Sequence, residues 1–196
     1  MNINFVTAYT PDLQRYRTDA FYLRKDCARL GLELTEIKYE DHGCWGANCR
    51  AKAAIFSEWL HEHRKPVVFL DADSRIFQMP GLFGEIRDAF GAVPTRNLDP
   101  RGRPFFASPL YFTEDAIPLV EAWRDLCEQN QARRPTGDHE YLCRAHEALP
   151  IPWYPLPAVY GGTSILRDSV MVAGLSHSKR KATFMASIRV FKESQG

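Results

Sequence analysis

The sequence predicts an α/β domain in which short strands alternate with helices, and three observations carry that prediction. The chain opens with an apolar β-rich run, a helical pattern and a second β-rich run, the order of a βαβ unit. A tetrapeptide apolar at every position, Val67 to Leu70, reads as a strand covered on both faces. Beyond it, β-rich runs and amphipathic patterns keep alternating without an internal repeat or a low-complexity linker, so a single domain over residues 1–196 is expected.

INFVTAY, Ile3 to Tyr9, is the first strand. Thr10-Pro11-Asp12 predicts a helix start, with Thr10 as N-cap, Pro11 at the first helical position and Asp12 in the first turn. The helix buries Leu13, Tyr16, Ala20, Leu23, Cys27 and Leu30 and stops at Gly31. Leu32 to Tyr39 is the second strand. After the loop EDHGCWG, Asn48 is the expected cap of a helix that turns Ala51, Ile55, Phe56, Trp59 and Leu60 inward. Val67–Leu70 follows, then a turn and short helix in QMPGLFGEIRDAF and a strand in GAVPT. FFASPLYF, Phe105 to Phe112, reads as a strand interrupted at Ser108-Pro109. Thr113 is the expected cap of a helix burying Ile117, Val120, Trp123, Leu126 and Cys127, and Asp138 starts another. PIPWYPLPAVYGG holds four prolines and reads as extended chain outside any central ladder.

Composition narrows the function classes. A net charge of +1 over 196 residues argues against a protein that holds nucleic acid by bulk charge. No apolar run approaches the ~20 residues of a membrane span, and MNINFVTAYTPD lacks the basic and apolar regions of a signal peptide. Five cysteines, an odd number without a CxxC pair, predict reduced thiols and a cytoplasmic protein.

The chemistry concentrates in VVFLDADSRIF, where the apolar strand runs into Asp71-Ala72-Asp73. Two carboxylates at i and i+2 on a regular strand face one side and repel as anions. A divalent cation offsets that repulsion, since Mg²⁺ and Mn²⁺ take hard oxygen ligands and bridge to phosphate. The C-terminal edge of a strand is also where open α/β sheets bind ligands. The bland alternative is a solvent-facing turn with Asp as turn former.

Two enzyme classes resemble this arrangement. In the haloacid-dehalogenase phosphatases, hhhhDxDGT supplies a nucleophile, which would be Asp71. That strand usually opens its domain, whereas 70 residues precede Asp71; Ser74-Arg75 stands in place of Gly-Thr, and a later GDxxxD is missing. The chain is more similar to the family-8-like nucleotide-diphospho-sugar transferases, which have the GT-A fold, and the landmarks fall in family order. FVTAY resembles the strand that seats the nucleotide base, and NCRAKAAIFSEWL leads into VVFLDADSRIF as in K…L…hhhLDaDhhh. FFASPLYF resembles FNSGVhhh, TGDHEYL resembles GDQxxL, LPIPWYPLP resembles LPxxWN, and LSHSKRKA resembles HxxGxxKPW. Departures are Ser108-Pro109 for Ser-Gly, His139 where Gln is common, and no Pro-Trp after the basic stretch.

The resemblance implies a Rossmann-like GT-A domain with a mixed central sheet. It implies a metal-dependent glycosyltransferase of the hexosyltransferase type, moving a sugar from a nucleotide diphosphate, a UDP-sugar first, to an unknown acceptor with retention of configuration. The acceptor class is open between glycan, protein and modified DNA. The rivals are the phosphatase and a non-catalytic module that binds a nucleotide sugar or, through HSKRK, nucleic acid.

The implied residues follow. Asp71 and Asp73 ligate the metal, Asp71 also touching the ribose, and His177 is the third protein ligand; an imidazole favours Mn²⁺ over Mg²⁺. Lys179, Arg180 and Lys181 neutralise the leaving diphosphate, with Lys179 and Lys181 preferred. Thr7, Ala8 and Tyr9 line the nucleotide pocket, Tyr9 stacking on the base. Arg50 or Lys52 reaches sugar or phosphate, unless both lie on a solvated helix face. Asp138, with His139 beside it, either fixes sugar hydroxyls or stabilises an oxocarbenium-like centre, and Asp138 also suits an N-cap. Trp59, Phe69 and Trp123 are expected in the core.

Overall fold

The apolar tetrapeptide forms β3 (Val67–Leu70), and all four residues are buried at the centre of a six-stranded sheet. The computed structural model describes residues 3–95, 102–130, 137–161 and 168–174. β1 (Asn4–Tyr9) pairs parallel with both β2 (Leu34–Lys38) and β3. β6 (Phe105–Phe112) runs antiparallel between β3 and β5 (Phe90–Pro94), and β7 (Trp153–Pro155) closes the far edge parallel to β5. The sheet is therefore mixed, in the order β2-β1-β3-β6-β5-β7. β4 (Arg75–Ile76) and β8 (Met171–Val172) form a separate antiparallel pair.

Helices cover both faces. α1 (Gln14–Arg29) brings Leu23 and Cys27 onto one face, against Phe5, Val68 and Leu70. α2 (Trp45–His63), α3 (Ile117–Gln129) and α4 (Asp138–Ala148) cover the other, where Phe56, Phe69, Phe112 and Trp123 share one cluster. Phe56 stacks on Phe69 with ring centroids 4.0 Å apart. Trp59, Phe69 and Trp123 are core, as expected. After β1 the chain goes to β2 on one side and returns to β3 on the other. The crevice between the ends of β1 and β3 is thus a topological switch point, where open α/β sheets take ligands. No helix among the described residues is long and apolar enough to cross a membrane.

Several element ends differ from the sequence reading. α1 begins at Gln14, with Leu13 extended at its N-cap and no side-chain cap. Thr10 is 1% exposed at the end of β1, so its hydroxyl is buried before the chain turns. α2 begins at Trp45, a turn before the expected cap. Asn48 is already helical, its N–H donating to the Cys44 carbonyl. Its amide instead ties down the preceding loop, accepting from the His42 N–H at 2.8 Å and donating to Asp41 at 2.7 Å. Thr113 precedes a short 3-10 turn, Glu114–Ala116, and caps it through its backbone carbonyl. The short helix in QMPGLFGEIRDAF is a 3-10 turn, Gly81–Gly84, and Phe90 already belongs to β5. β6 is continuous through Ser108-Pro109, whose peptide bond is cis. Pairing shifts there from Ala92↔Leu110 to Pro94↔Phe105, so proline falls where the ladder is irregular.

Candidate functional site

A cavity of about 290 Å³ opens at the switch point. Ala8 and Tyr9 enter it from the end of β1, and Asp71 to Asp73 from the end of β3. The two aspartates do not continue the strand. The Ser74 N–H donates to the Asp71 carbonyl at 2.9 Å, closing a turn. Facing one side of a strand is thus corrected to a turn that delivers both residues to one cavity. The turn is held from β6: the Asp71 N–H donates to the Ser108 hydroxyl at 3.1 Å, and that hydroxyl lies 3.4 Å from Ser74 Oγ.

Lys52 joins this turn to α4. Its ammonium forms an ion pair with Asp71 Oδ1 and lies 3.4 Å from Asp138 Oδ2. The solvated helix face considered for Arg50 and Lys52 is therefore overturned: both are buried, because α2 packs against α3 and α4. Burial alone would lower the Lys52 pKa, but the charges of Asp138 and Asp71 outweigh it and hold the pKa well above the ordinary lysine value. Asp138 moves upward, first by burial and then by the like charge of Asp71, with Lys52 opposing. Two carboxylates thus share one ammonium.

Asp138 is the first residue of α4, with Gly137 at the N-cap. Its Oδ1 accepts from the His139 N–H at 3.0 Å, and its carbonyl accepts from Trp123 Nε1 at 2.9 Å. The core indole therefore fixes the start of α4. His139 Nε2–H donates to the Phe105 carbonyl, so that nitrogen is committed to β6 while the ring borders the cavity.

The expected nucleotide residues divide. Ala8 and Tyr9 border the cavity, but Thr7 does not. It is fully buried inside the sheet between Glu36 and Leu70, because β1 runs two residues further. Tyr9 is 3% exposed and its hydroxyl donates to Glu36 at 2.9 Å, so it forms floor more than platform. Tyr16, half-buried across the crevice, offers a more open ring, with the Arg15 guanidinium 4.9 Å from its centroid. His177, Lys179, Arg180 and Lys181 lie outside the described residues.

Sequence reasoning missed Trp45, Tyr16 and Asn48 as cavity residues. A signal existed for two of them: Trp45, Asn48, Cys49 and Lys52 are spaced i, i+3, i+4, i+7 and share one face of α2.

The donor set suits a hard divalent cation. Asp71 and Asp73 supply oxygens to the same cavity, and Asp71 Oδ2 carries no hydrogen bond among the described residues. Among the described residues no three His, Cys, Asp or Glu converge on one point.

No protein-family model matches the sequence, and no curated protein matches it. Solved structures do match its fold. A glycosyltransferase involved in glycosylation of the major capsid of PBCV-1 superposes with a TM-score of 0.71 at 13% identity, over 93% of this chain and 98% of that one. The apo form of the glycosyltransferase GlyE from Streptococcus pneumoniae TIGR4 superposes with a TM-score of 0.57 at 13% identity, over 87% of this chain. A second GlyE structure gives 0.54 at 15% identity, over 80% of this chain. The chain spans 53% and 45% of the two GlyE chains. The fold is an α/β, GT-A-like glycosyltransferase fold.

Proposed function

We propose that the chain is a metal-dependent glycosyltransferase, transferring a sugar from a nucleotide diphosphate, a UDP-sugar first, to an acceptor hydroxyl. The observation that carries this reading is the cluster Asp71–Lys52–Asp138 at the switch point of a glycosyltransferase fold. Asp71 and Asp73 would hold Mn²⁺ or Mg²⁺, with His177 as third ligand. When bound, the cation supplies positive charge to the departing diphosphate.

The protein's own residues do the rest. Lys52 keeps Asp71 and Asp138 together despite their like charge. Asp138, fixed through Trp123, offers a carboxylate to sugar hydroxyls or to positive charge developing at the anomeric carbon. His139 anchors that helix start to β6. Lys179 and Lys181 would meet the leaving group. Retention of configuration and the hexosyltransferase class rest on family resemblance.

The phosphatase alternative draws no support from the structural neighbours, which are glycosyltransferases. The test is hydrolysis of UDP-, GDP- and CDP-sugars with and without Mn²⁺, alongside thermal shift with the free diphosphates. Metal-dependent release from one donor, lost in Asp71→Asn and Asp73→Asn, is expected. A phosphoenzyme on Asp71, or no response to any nucleoside diphosphate, would overturn the reading.

A further inference from the structure

The geometry points to Trp45 as a stacking platform for a sugar ring of the acceptor, which makes the acceptor a carbohydrate; this rests on the transferase reading above. A single exposed aromatic residue needs no explanation by itself. Trp45 differs in three respects. It is 55% exposed although it borders the cavity. Its six-membered ring is seated against Gly137, where an added Cβ would lie 3.0 Å from Trp45 Cη2 and would press the indole outward. Its indole N–H donates to nothing among the described residues, which leaves a donor for a ligand.

Its surroundings select the ligand. Gly137 immediately precedes Asp138, so the outer edge of the indole abuts the carboxylate–lysine cluster. Asn48, Asp138 and Glu140 line the same cavity. An open aromatic face ringed by hydroxyl-bonding side chains suits a pyranose. The weakly positive axial C–H groups of such a ring meet the negative face of the indole, while its hydroxyls meet the polar rim. Carboxylates beside the ring disfavour a diphosphate there. In this reading the base and phosphates meet Arg15, Tyr16 and Tyr9, which border the same cavity. Trp45 precedes Lys52 by seven residues, two turns of α2, so the two residues share one face of the helix about 10 Å apart along its axis at their backbones. In this reading the donor sugar sits next to Asp138.

The full chain, with UDP and Mn²⁺ present, is titrated with methyl pyranosides of glucose, galactose and mannose and with lactose and cellobiose. Binding is read by saturation-transfer NMR and by indole emission, and nucleotide binding by thermal shift. At least one sugar is expected to bind through its ring C–H protons. Trp45→Ala should weaken it roughly tenfold, with Trp45→Phe within about threefold of the parent, and both variants should keep the UDP–Mn²⁺ shift. The platform is overturned if UDP binds and no sugar does, or if Trp45→Ala binds sugar like the parent. It is equally overturned if Trp45→Ala loses the UDP shift, because the indole would then serve the nucleobase. Trp45-dependent sugar binding without any nucleotide response would support the platform and sink the donor reading instead.

Discussion

Two buried ion-pair clusters among the described residues are built in opposite ways. Asp26 on α1 receives Arg75 through Nε at 2.5 Å and through a second guanidinium nitrogen at 3.0 Å, and the Ile76 N–H at 3.2 Å. Both carboxylate oxygens of Asp26 are filled. Lys52 meets two carboxylates, both bordering a cavity, and Asp71 Oδ2 has no hydrogen bond among the described residues. The first pair is closed and joins α1 to β4. The second carries surplus negative charge where a ligand can reach it. Burial is common to both pairs; only the second borders a cavity.

Lys52→Met should give the largest effect on stability. Removing the ammonium that pairs with both carboxylates leaves buried charge uncompensated, and a loss of about 3–5 kcal/mol is expected at neutral pH. Urea unfolding measures it. The loss should depend on pH in a defined direction. The native pKa of Asp138 already lies above its ordinary value, and Lys52 is what opposes that rise. Without Lys52 it climbs further. A carboxyl with a raised folded pKa favours the folded state at acid pH and loses that contribution as pH rises through the folded value. The deficit of Lys52→Met should therefore widen from about pH 4 upward toward neutrality.

Asp26→Asn comes next. Arg75 keeps some access to water, so a loss of about 2 kcal/mol is expected, with the UDP–Mn²⁺ thermal shift unchanged. A lost shift would mean that the closed pair also shapes the site. Asp71→Asn sharpens the contrast from the other side. It removes a partner of Lys52 and a repulsion with Asp138 together, so stability should change by less than about 1 kcal/mol. The UDP–Mn²⁺ shift should disappear nevertheless. Gly137→Ala should be smallest, about 0.5 kcal/mol by thermal unfolding, because the flexible indole can move away. Its signature is altered Trp45 emission.

Much of the fold was legible because local pattern and burial agree along it. Val67–Leu70 reads as central and is central. The opening βαβ unit and the burial of Phe56, Trp59, Leu60, Val120, Trp123 and Cys127 follow from pattern, and the prolines mark the edge segment, whereas Ala51, Ile55, Ile117 and Leu126 are only half-buried. Helix starts were less legible. Thr10, Asn48 and Thr113 are good caps by residue type, yet no helix begins with its side chain on any of them. Each start is set where the chain must turn onto the sheet, and the polar residue nearby is then buried or ties a loop. Thr7 was misplaced for a similar reason, since only the true end of β1 tells which residues emerge into the crevice.

The sequence by itself determined the alternation of strands and helices, the strand that leads into Asp71 and Asp73, and Asp138 at the start of a helix. These are local facts, carried by hydrophobic period and residue type over a few neighbours. Tertiary structure alone decided that Lys52 binds both Asp71 and Asp138, residues 19 and 86 positions further along the chain. It alone decided that Trp45 stands open against Gly137. Those facts depend on how α2 and α4 pack across one face of the sheet, and no periodicity within either helix encodes the distance between them.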